Sequence, residues 1–127
     1  MTVKVIKTID EFREAINTDT PAVFDFWATW CGPCKVISPV FQQLSEKFPN
    51  INFYKVDVDE AQDIAQEVGV RAVSVFILPI GDALSGRLTI VGFYQMPTFM
   101  AFKNGNKIKD LVGANAPALQ NLIASLA

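Results

Sequence analysis

The sequence predicts an α/β fold in which a central mixed β-sheet is flanked by helices on both faces. Strand-like and helix-like segments alternate along the first half of the chain, and a β-hairpin and a last helix follow near its end. The length of 127 residues is that of one domain. Half of the residues are apolar and 19% are charged, so folding can bury enough apolar surface to offset the entropy lost on ordering the chain.

The first predicted helix begins at a capping box. Thr8 provides a hydroxyl group, Glu11 follows three residues later, and apolar residues then recur at helical spacing to about Asn17. The Asp-Thr-Pro sequence at 19–21 ends this segment. Residues 22–27 form a short apolar run without alternation, which is typical of a strand covered on both faces. We therefore expect a central strand there.

Two further helices and a strand complete the predicted α/β part. A helical pattern runs on from Cys34, and Pro39 within it is expected to kink the helix. Residues 52–58 alternate as a strand does. Asp59 is expected to cap the next helix, and Gly69 is expected to end it.

The end of the chain carries a strong hairpin signal. An Asn-Gly turn at 104–105 separates two strand-like runs at 98–103 and 106–112. Asn115 and Pro117 then open a last amphipathic helix. A hairpin that follows alternating strands and helices predicts a sheet with both parallel and antiparallel strands.

Composition excludes several classes of function. The net charge of -2 and the lack of a basic stripe argue against nucleic acid and membrane surfaces as partners. The chain contains no histidine, so Cys2His2 zinc sites, Ser-His-Asp triads and Cys-His proteases are excluded within one chain. The N-terminus does not read as a secretory signal, so we expect a reducing, intracellular address.

The two cysteines form a C-x-x-C pair, Cys31 and Cys34, after the predicted central strand and at the start of a helix. Free backbone N–H groups and the helix dipole favour an anion there, which stabilises the thiolate that attacks disulfides. A pair of inert thiols is the plainer interpretation. Half of an intermolecular metal site is also open, because a second cysteine pair is absent.

Residues 27–35, Trp-Ala-Thr-Trp-Cys-Gly-Pro-Cys-Lys, resemble the active-site segment of the thioredoxin family. The similarity extends over residues 3–72 and 96–126, and it is greatest to eukaryotic cytosolic thioredoxins of the fungal type. The resemblance implies the thioredoxin fold and the activity of a general protein disulfide reductase.

The resemblance also implies roles for the residues around the cysteines. Cys31 would be the exposed nucleophile and Cys34 the resolving thiol, with Gly32 and Pro33 as supporting residues between them. Asp25 corresponds to the buried carboxylate behind the resolving thiol. Its apolar neighbours favour burial, which would raise its pKa and suit it to carry a proton for Cys34. A solvated strand end is the alternative.

Five further positions match the family pattern. Lys55 corresponds to the lysine beside the buried carboxylate, and Trp30, Met96, Pro97 and Gly113 correspond to the substrate groove, with Pro97 as the cis-proline facing the disulfide. A solvated strand position is the alternative for Lys55. Core packing is the alternative for Trp30, and an ordinary trans-proline for Pro97.

The resemblance implies partners and a location as well. The Cys31–Cys34 disulfide would be the redox centre, with no metal and no bound cofactor. NADPH-dependent thioredoxin reductase would regenerate the dithiol, and the clients would include peroxiredoxins, methionine sulfoxide reductases and ribonucleotide reductase. We expect a cytoplasmic monomer.

The segment 73–95 departs from the family pattern, in which the residue matching Ala72 is followed directly by the one matching Met96. One hypothesis is a translated intron, because Val73-Ser74 can be encoded GTAAGT and Gln95 can be encoded CAG. A second is a lid or partner-binding loop, although a loop of this length is unusual in a compact domain.

A third hypothesis is competition for the sheet, since residues 72–77 match the pattern of the run that starts at Met96, with Ser74 in the place of Pro97. We expect the second copy to take the central position, because only it leads directly into the hairpin. If the segment blocked the groove, the alternative functions would be a binding module or an inactive splice form.

Overall fold

In the computed structural model of the protein, the described residues are 3–69, 78–79, 88–89 and 97–127. The strands are β1 (Val3–Ile6), β2 (Ala22–Trp27), β3 (Asn52–Asp57), β4 (Leu78–Pro79), β5 (Leu88–Thr89), β6 (Thr98–Lys103) and β7 (Asn106–Val112). The helices are α1 (Ile9–Ile16), α2 (Gly32–Lys47), α3 (Gln62–Val68) and α4 (Ala116–Ala124).

The main sheet has the strand order β1-β3-β2-β6-β7. β3 pairs in parallel with both β1 and β2, whereas β6 pairs antiparallel with β2 and with β7. The predicted mixed sheet is therefore confirmed, and β2 is its central strand, as expected for residues 22–27. β4 and β5 pair with each other in a separate two-stranded sheet.

Helices cover both faces of the main sheet. On one face, Phe12 from α1 and Ile64 from α3 pack in the same cluster as Phe24 of β2, and the Phe12 and Phe24 rings meet edge to face. On the other face, Phe41 from α2 packs against Phe53 of β3, together with buried residues of α4. The strand β2 is buried along nearly its whole length, as a strand between two helical layers must be.

Local sequence patterns predict where most of the helices and strands begin and end. The capping box of α1 is present, and Asn17 is the C-cap of that helix. α2 begins at Gly32, two residues before the expected start, and continues through Pro39 to Lys47. β1 has no counterpart among the predicted elements, because four residues are too short for a clear alternation.

The start of α3 differs from the expected one. Its N-cap is Ala61, which makes no side-chain capping bond, so the prediction that Asp59 caps this helix is wrong. The side chain of Asp59 is engaged with Trp30 instead. The end of α3 is as expected, since Gly69 adopts the left-handed conformation with a φ of 81°.

Residues 72–77 and the run that starts at Met96 share a pattern, and the β6–β7 hairpin places the second of these two runs in the sheet. Thr98 lies opposite Phe26 and Phe99 opposite Asp25, so residues 98–103 occupy the position next to β2. Residues 72–77, the competing copy, lie outside the described residues. Among the residues that the structure describes, no helix is long and apolar enough to cross a membrane.

Candidate functional site

The predicted site residues converge at one end of the main sheet. β2 runs directly into the loop 28–31, and Cys31 is the N-cap residue of α2. The N–H of Cys31 donates to the carbonyl oxygen of Ala28 at 3.1 Å, which folds the loop back onto the end of the strand. β6 begins at the same end, because Thr98 lies opposite Phe26.

The two cysteines are joined in a disulfide, with their Cα atoms 5.3 Å apart. Only 4% of Cys31 and 2% of Cys34 is exposed. The expectation that Cys31 is the exposed cysteine is therefore wrong for this oxidised form, in which its sulfur is bonded to the buried Cys34.

The start of α2 is built to hold a thiolate at Cys31. The backbone N–H of Cys34 donates to the Cys31 sulfur at 3.1 Å, so this sulfur occupies the place of a capping oxygen. The first turn of α2 contains no acidic residue, and Pro33 lies within it. Both the N–H group and the positive end of the helix dipole lower the free energy of a negative sulfur.

Asp25 lies on β2 behind this pair, fully buried, on the same face of the sheet as α2. Neither of its carboxyl oxygens accepts a hydrogen bond from any residue that the structure describes. Burial raises the pKa of Asp25 from its ordinary 3.8 to about 7, and the positive charge of Lys55 opposes this rise. The burial expected from its apolar neighbours is confirmed.

Lys55 lies directly opposite Asp25, on the neighbouring strand β3. It is half-buried, so a solvated strand face does not describe it. Its ammonium group donates to the hydroxyl oxygen of Ser38 at 3.2 Å and lies 5.0 Å from the centre of the Trp27 ring. The sequence alone does not mark Ser38 as part of the site, since a serine on a helix has no distinctive pattern.

A cleft of about 420 Å³ connects these groups. Asp25, Cys34, Ser38 and Lys55 are among its lining residues. A buried carboxyl group with a pKa near neutrality can accept and return a proton at physiological pH, and Asp25 shares this cleft with Cys34.

Trp30 stands beside the disulfide with 40% of its surface exposed. Its indole N–H donates to the carboxylate of Asp59 at 3.0 Å, which fixes the ring from a residue 29 positions away. The exposure agrees with a contact surface rather than with core packing. The sequence does not mark Asp59 as part of the site, because an aspartate between a strand and a helix is typical of a helix cap.

Pro97 and Gly113 are neighbours at the start of β6. The N–H of Gly113 donates to the carbonyl oxygen of Pro97 at 2.9 Å, and Pro97 itself is buried. Gly113 has a φ of 105°, which favours glycine. Met96 lies outside the described residues, and so does the peptide bond that joins it to Pro97. Among the described residues, no group of three or more acidic, cysteine or histidine side chains could hold a metal ion.

Comparison with known proteins gives consistent results. A model of the thioredoxin family matches residues 3–88, a range that ends within the segment 73–95. The thioredoxin of Coprinus comatus is 45% identical over 123 residues, which cover 95% of this chain and 94% of that protein. It is a fungal relative, as the resemblance implies.

Solved structures agree as well. The thioredoxin of Malassezia sympodialis superposes with a TM-score of 0.78 at 43% identity, covering 98% of this chain and 91% of that one. A chain from a structural study of the thiol-resolving mechanism of yeast mitochondrial 1-Cys peroxiredoxin via the glutathione/thioredoxin systems superposes with a TM-score of 0.74 at 32% identity, covering 97% and 94%. With its C-x-x-C disulfide at the start of α2, this chain belongs to the thioredoxin family and is a protein disulfide reductase.

Proposed function

We propose that this chain reduces protein disulfides in two steps, with Cys31 as the nucleophile and Cys34 as the resolving thiol. The observation that carries this assignment is the position of the Cys31 sulfur as the N-cap of α2, with the Cys34 N–H directed at it. A sulfur held in this way is the better anion of the pair, and the thiolate is the attacking species. Gly32 and Pro33 support it by forming the first turn of the helix.

In the first step, the Cys31 thiolate attacks one sulfur of the client disulfide, and the other client sulfur leaves as a thiolate. In the second step, Cys34 loses its proton and attacks the Cys31 sulfur, and the remaining client sulfur leaves. Two electrons pass to the client, and the protein ends with the Cys31–Cys34 disulfide. No metal and no bound cofactor takes part in either step.

Asp25 is the group that takes the proton from Cys34 in this proposal. Its pKa of about 7 means that it is partly ionised at neutral pH and can both accept and return a proton. Lys55, opposite it on β3, keeps that pKa from rising further. Both residues line the cleft that also reaches Cys34.

The client binds over the rim formed by Trp30, Pro97 and Gly113. The exposed Trp30 ring gives an apolar contact surface, and the hydrogen bond between Gly113 and Pro97 holds the two loops together. Met96, which precedes Pro97 in the chain, belongs to the same groove by the family pattern.

Family membership supports further partners. NADPH-dependent thioredoxin reductase regenerates the dithiol, and peroxiredoxins, methionine sulfoxide reductases and ribonucleotide reductase are the proposed clients. The similarity to a chain studied with a mitochondrial peroxiredoxin supports the first of these. We place the protein in the cytoplasm as a monomer.

The chain is one domain interrupted at 73–95, and the proposed origin of this segment is a translated intron. In support, β6 pairs with β2 after the segment, so the family sheet is completed by residues on either side of it. Sequencing of transcripts across codons 72–96 tests the origin. Transcripts that join codon 72 to codon 96 are expected, and genomic codons without splice signals would contradict it.

A pair of cysteine variants tests the mechanism. Cys34→Ser is expected to accumulate a mixed disulfide between Cys31 and the client, visible on a non-reducing gel, because the resolving step is blocked. Cys31→Ser is expected to form no such adduct and to lose turnover. Full activity of Cys31→Ser, or adducts through Cys34 instead, would contradict the assignment.

A further inference from the structure

The ammonium group of Lys55 is held by two neighbours other than Asp25. It donates a hydrogen bond to Ser38 Oγ at 3.2 Å, and it lies 5.0 Å from the centre of the Trp27 ring, within the range of a cation–π contact. Ser38 comes from α2 and Trp27 from β2, so the two contacts fix the lysine head between two elements of the site.

An ion pair with Asp25 would be the expected contact for the Lys55 ammonium group. Lys55 and Asp25 are directly paired on adjacent strands, which lie about 5 Å apart. A lysine side chain is long enough to contact its strand neighbour. Neither oxygen of Asp25 nevertheless accepts a hydrogen bond from Lys55 or from any other described residue. Asp25, Ser38 and Lys55 line the same open cleft of about 420 Å³.

The other groups around the cleft do not provide an alternative partner. Among the described residues, the cleft is also lined by Cys34, which does not titrate while it is in the disulfide, and by Lys35 of α2. The β6 neighbour of the carboxylate is the apolar Phe99. Asp57, two residues beyond Lys55 on β3, accepts from the backbone N–H groups of its own turn. Lys55 is the cation whose charge acts on Asp25, so the contacts of Lys55 set how closely that charge approaches the carboxylate.

We propose that Ser38 is a positioning residue that acts through Lys55: its hydroxyl group holds the ammonium over Trp27 and keeps it from closing an ion pair with Asp25. This inference rests on the proposed role of Asp25 as the proton acceptor for Cys34. A carboxylate locked in a close ion pair is a weaker base, whereas one that feels the lysine only at a distance remains able to take a proton near neutral pH.

The test measures the pKa of Asp25 by carbon NMR of its carboxyl group in the oxidised full-length protein, in which the cysteines do not titrate. Ser38→Ala is expected to release Lys55 and to lower the pKa of Asp25 by about one unit or more, the usual effect of a close opposite charge. Alanine is a good helix former, so α2 should remain intact. Ser38→Thr keeps a hydroxyl group and should restore the wild-type pKa.

A second pair of variants makes the test specific to the lysine. In a Lys55→Met background, Ser38→Ala should leave the pKa of Asp25 unchanged, because the charge that Ser38 directs is gone. The inference is overturned if Ser38→Ala alone leaves the pKa unchanged or raises it. It is also overturned if the decrease persists without Lys55.

The pH dependence of client reduction then separates this inference from the function on which it rests. Ser38→Ala should move the lower limb of the profile to lower pH, in step with the NMR result. If Asp25→Asn kept the wild-type profile, the proton-carrying role of Asp25 would be wrong, while the NMR comparison would still report whether Ser38 positions Lys55.

Discussion

Burial of the Asp25 carboxyl group lowers the stability of the fold and also gives this group the near-neutral pKa that its proposed catalytic role requires. It is fully buried, and its pKa is about 7 in the folded protein against an ordinary 3.8. Between these two values the folded state binds the proton more tightly than the unfolded chain does. Stability is therefore lost as the pH rises through this window, and the full cost remains above it.

Asp25→Asn should remove this cost, since the amide is neutral at every pH. The difference between 3.8 and about 7 corresponds to at most about 4 kcal/mol at 1.36 kcal/mol per pKa unit. Urea unfolding of the oxidised protein should show a gain of a few kcal/mol at pH 8 and little gain at pH 4. Asp110→Asn, at an exposed carboxylate paired with Lys107, is the control and should change stability by less than about 1 kcal/mol. An equal gain for Asp25→Asn at both pH values would contradict the account.

Trp30 is held by Asp59, and this contact leads to a second prediction for single residues. Asp59→Ala removes the acceptor 3.0 Å from the indole nitrogen, so the ring should become more mobile at the client-binding rim. We expect kcat/KM for a protein disulfide to fall roughly fivefold, for a hydrogen bond worth about 1 kcal/mol. Glu60→Ala, at the exposed neighbouring carboxylate, should leave it unchanged. Equal losses in the two variants, or unchanged anisotropy of tryptophan fluorescence in Asp59→Ala, would contradict this role.

At the scale of the elements, Gly113 ends β7 in a conformation that other residues rarely adopt. Its φ is 105°, yet an added Cβ would meet nothing within 4 Å. Gly113→Ala should therefore lower the free energy of unfolding by about 1–2 kcal/mol through the backbone alone. Gly32→Ala is the matched control, because it has equally open space and no positive φ. Similar losses from the two substitutions would show that the backbone explanation is wrong.

The elements could be predicted from sequence wherever the signal is local. The capping box at Thr8, the Asn-Gly turn at 104–105 and the terminator Gly69 all depend on residues within a few positions of one another. By contrast, the contact of Trp30 with Asp59 spans 29 positions, and its geometry follows from how the strands align rather than from any spacing in the chain.

The site follows the same rule. The C-x-x-C pair and the burial of Asp25 could be predicted, since a local motif and an apolar run carry them. The hydrogen bond between Lys55 and Ser38 joins β3 to α2 across 17 positions, and it depends on how that helix packs on the sheet. Only the assembled structure shows it.

For the molecule as a whole, all five described strands of the main sheet lie outside the segment 73–95. β6 pairs with β2, and β7 pairs with β6. The helices that cover the two faces of the sheet also lie outside the segment. A variant that joins Ala72 to Met96 should therefore fold. Its free energy of unfolding should be no lower than that of the full chain, because closing a shorter connection costs slightly less entropy. Circular dichroism and urea unfolding check this. Loss of cooperative unfolding in the shortened chain would show that the segment is part of the fold.

The most direct test of the reductase assignment is NADPH-coupled reduction of a protein disulfide by the full 127-residue chain with thioredoxin reductase. We expect sustained NADPH consumption by the wild-type chain, at a rate comparable to that of the variant lacking residues 73–95, and none above background for Cys31→Ser. A full-length chain that is no faster than Cys31→Ser would contradict the reductase assignment, even if the shortened variant were active.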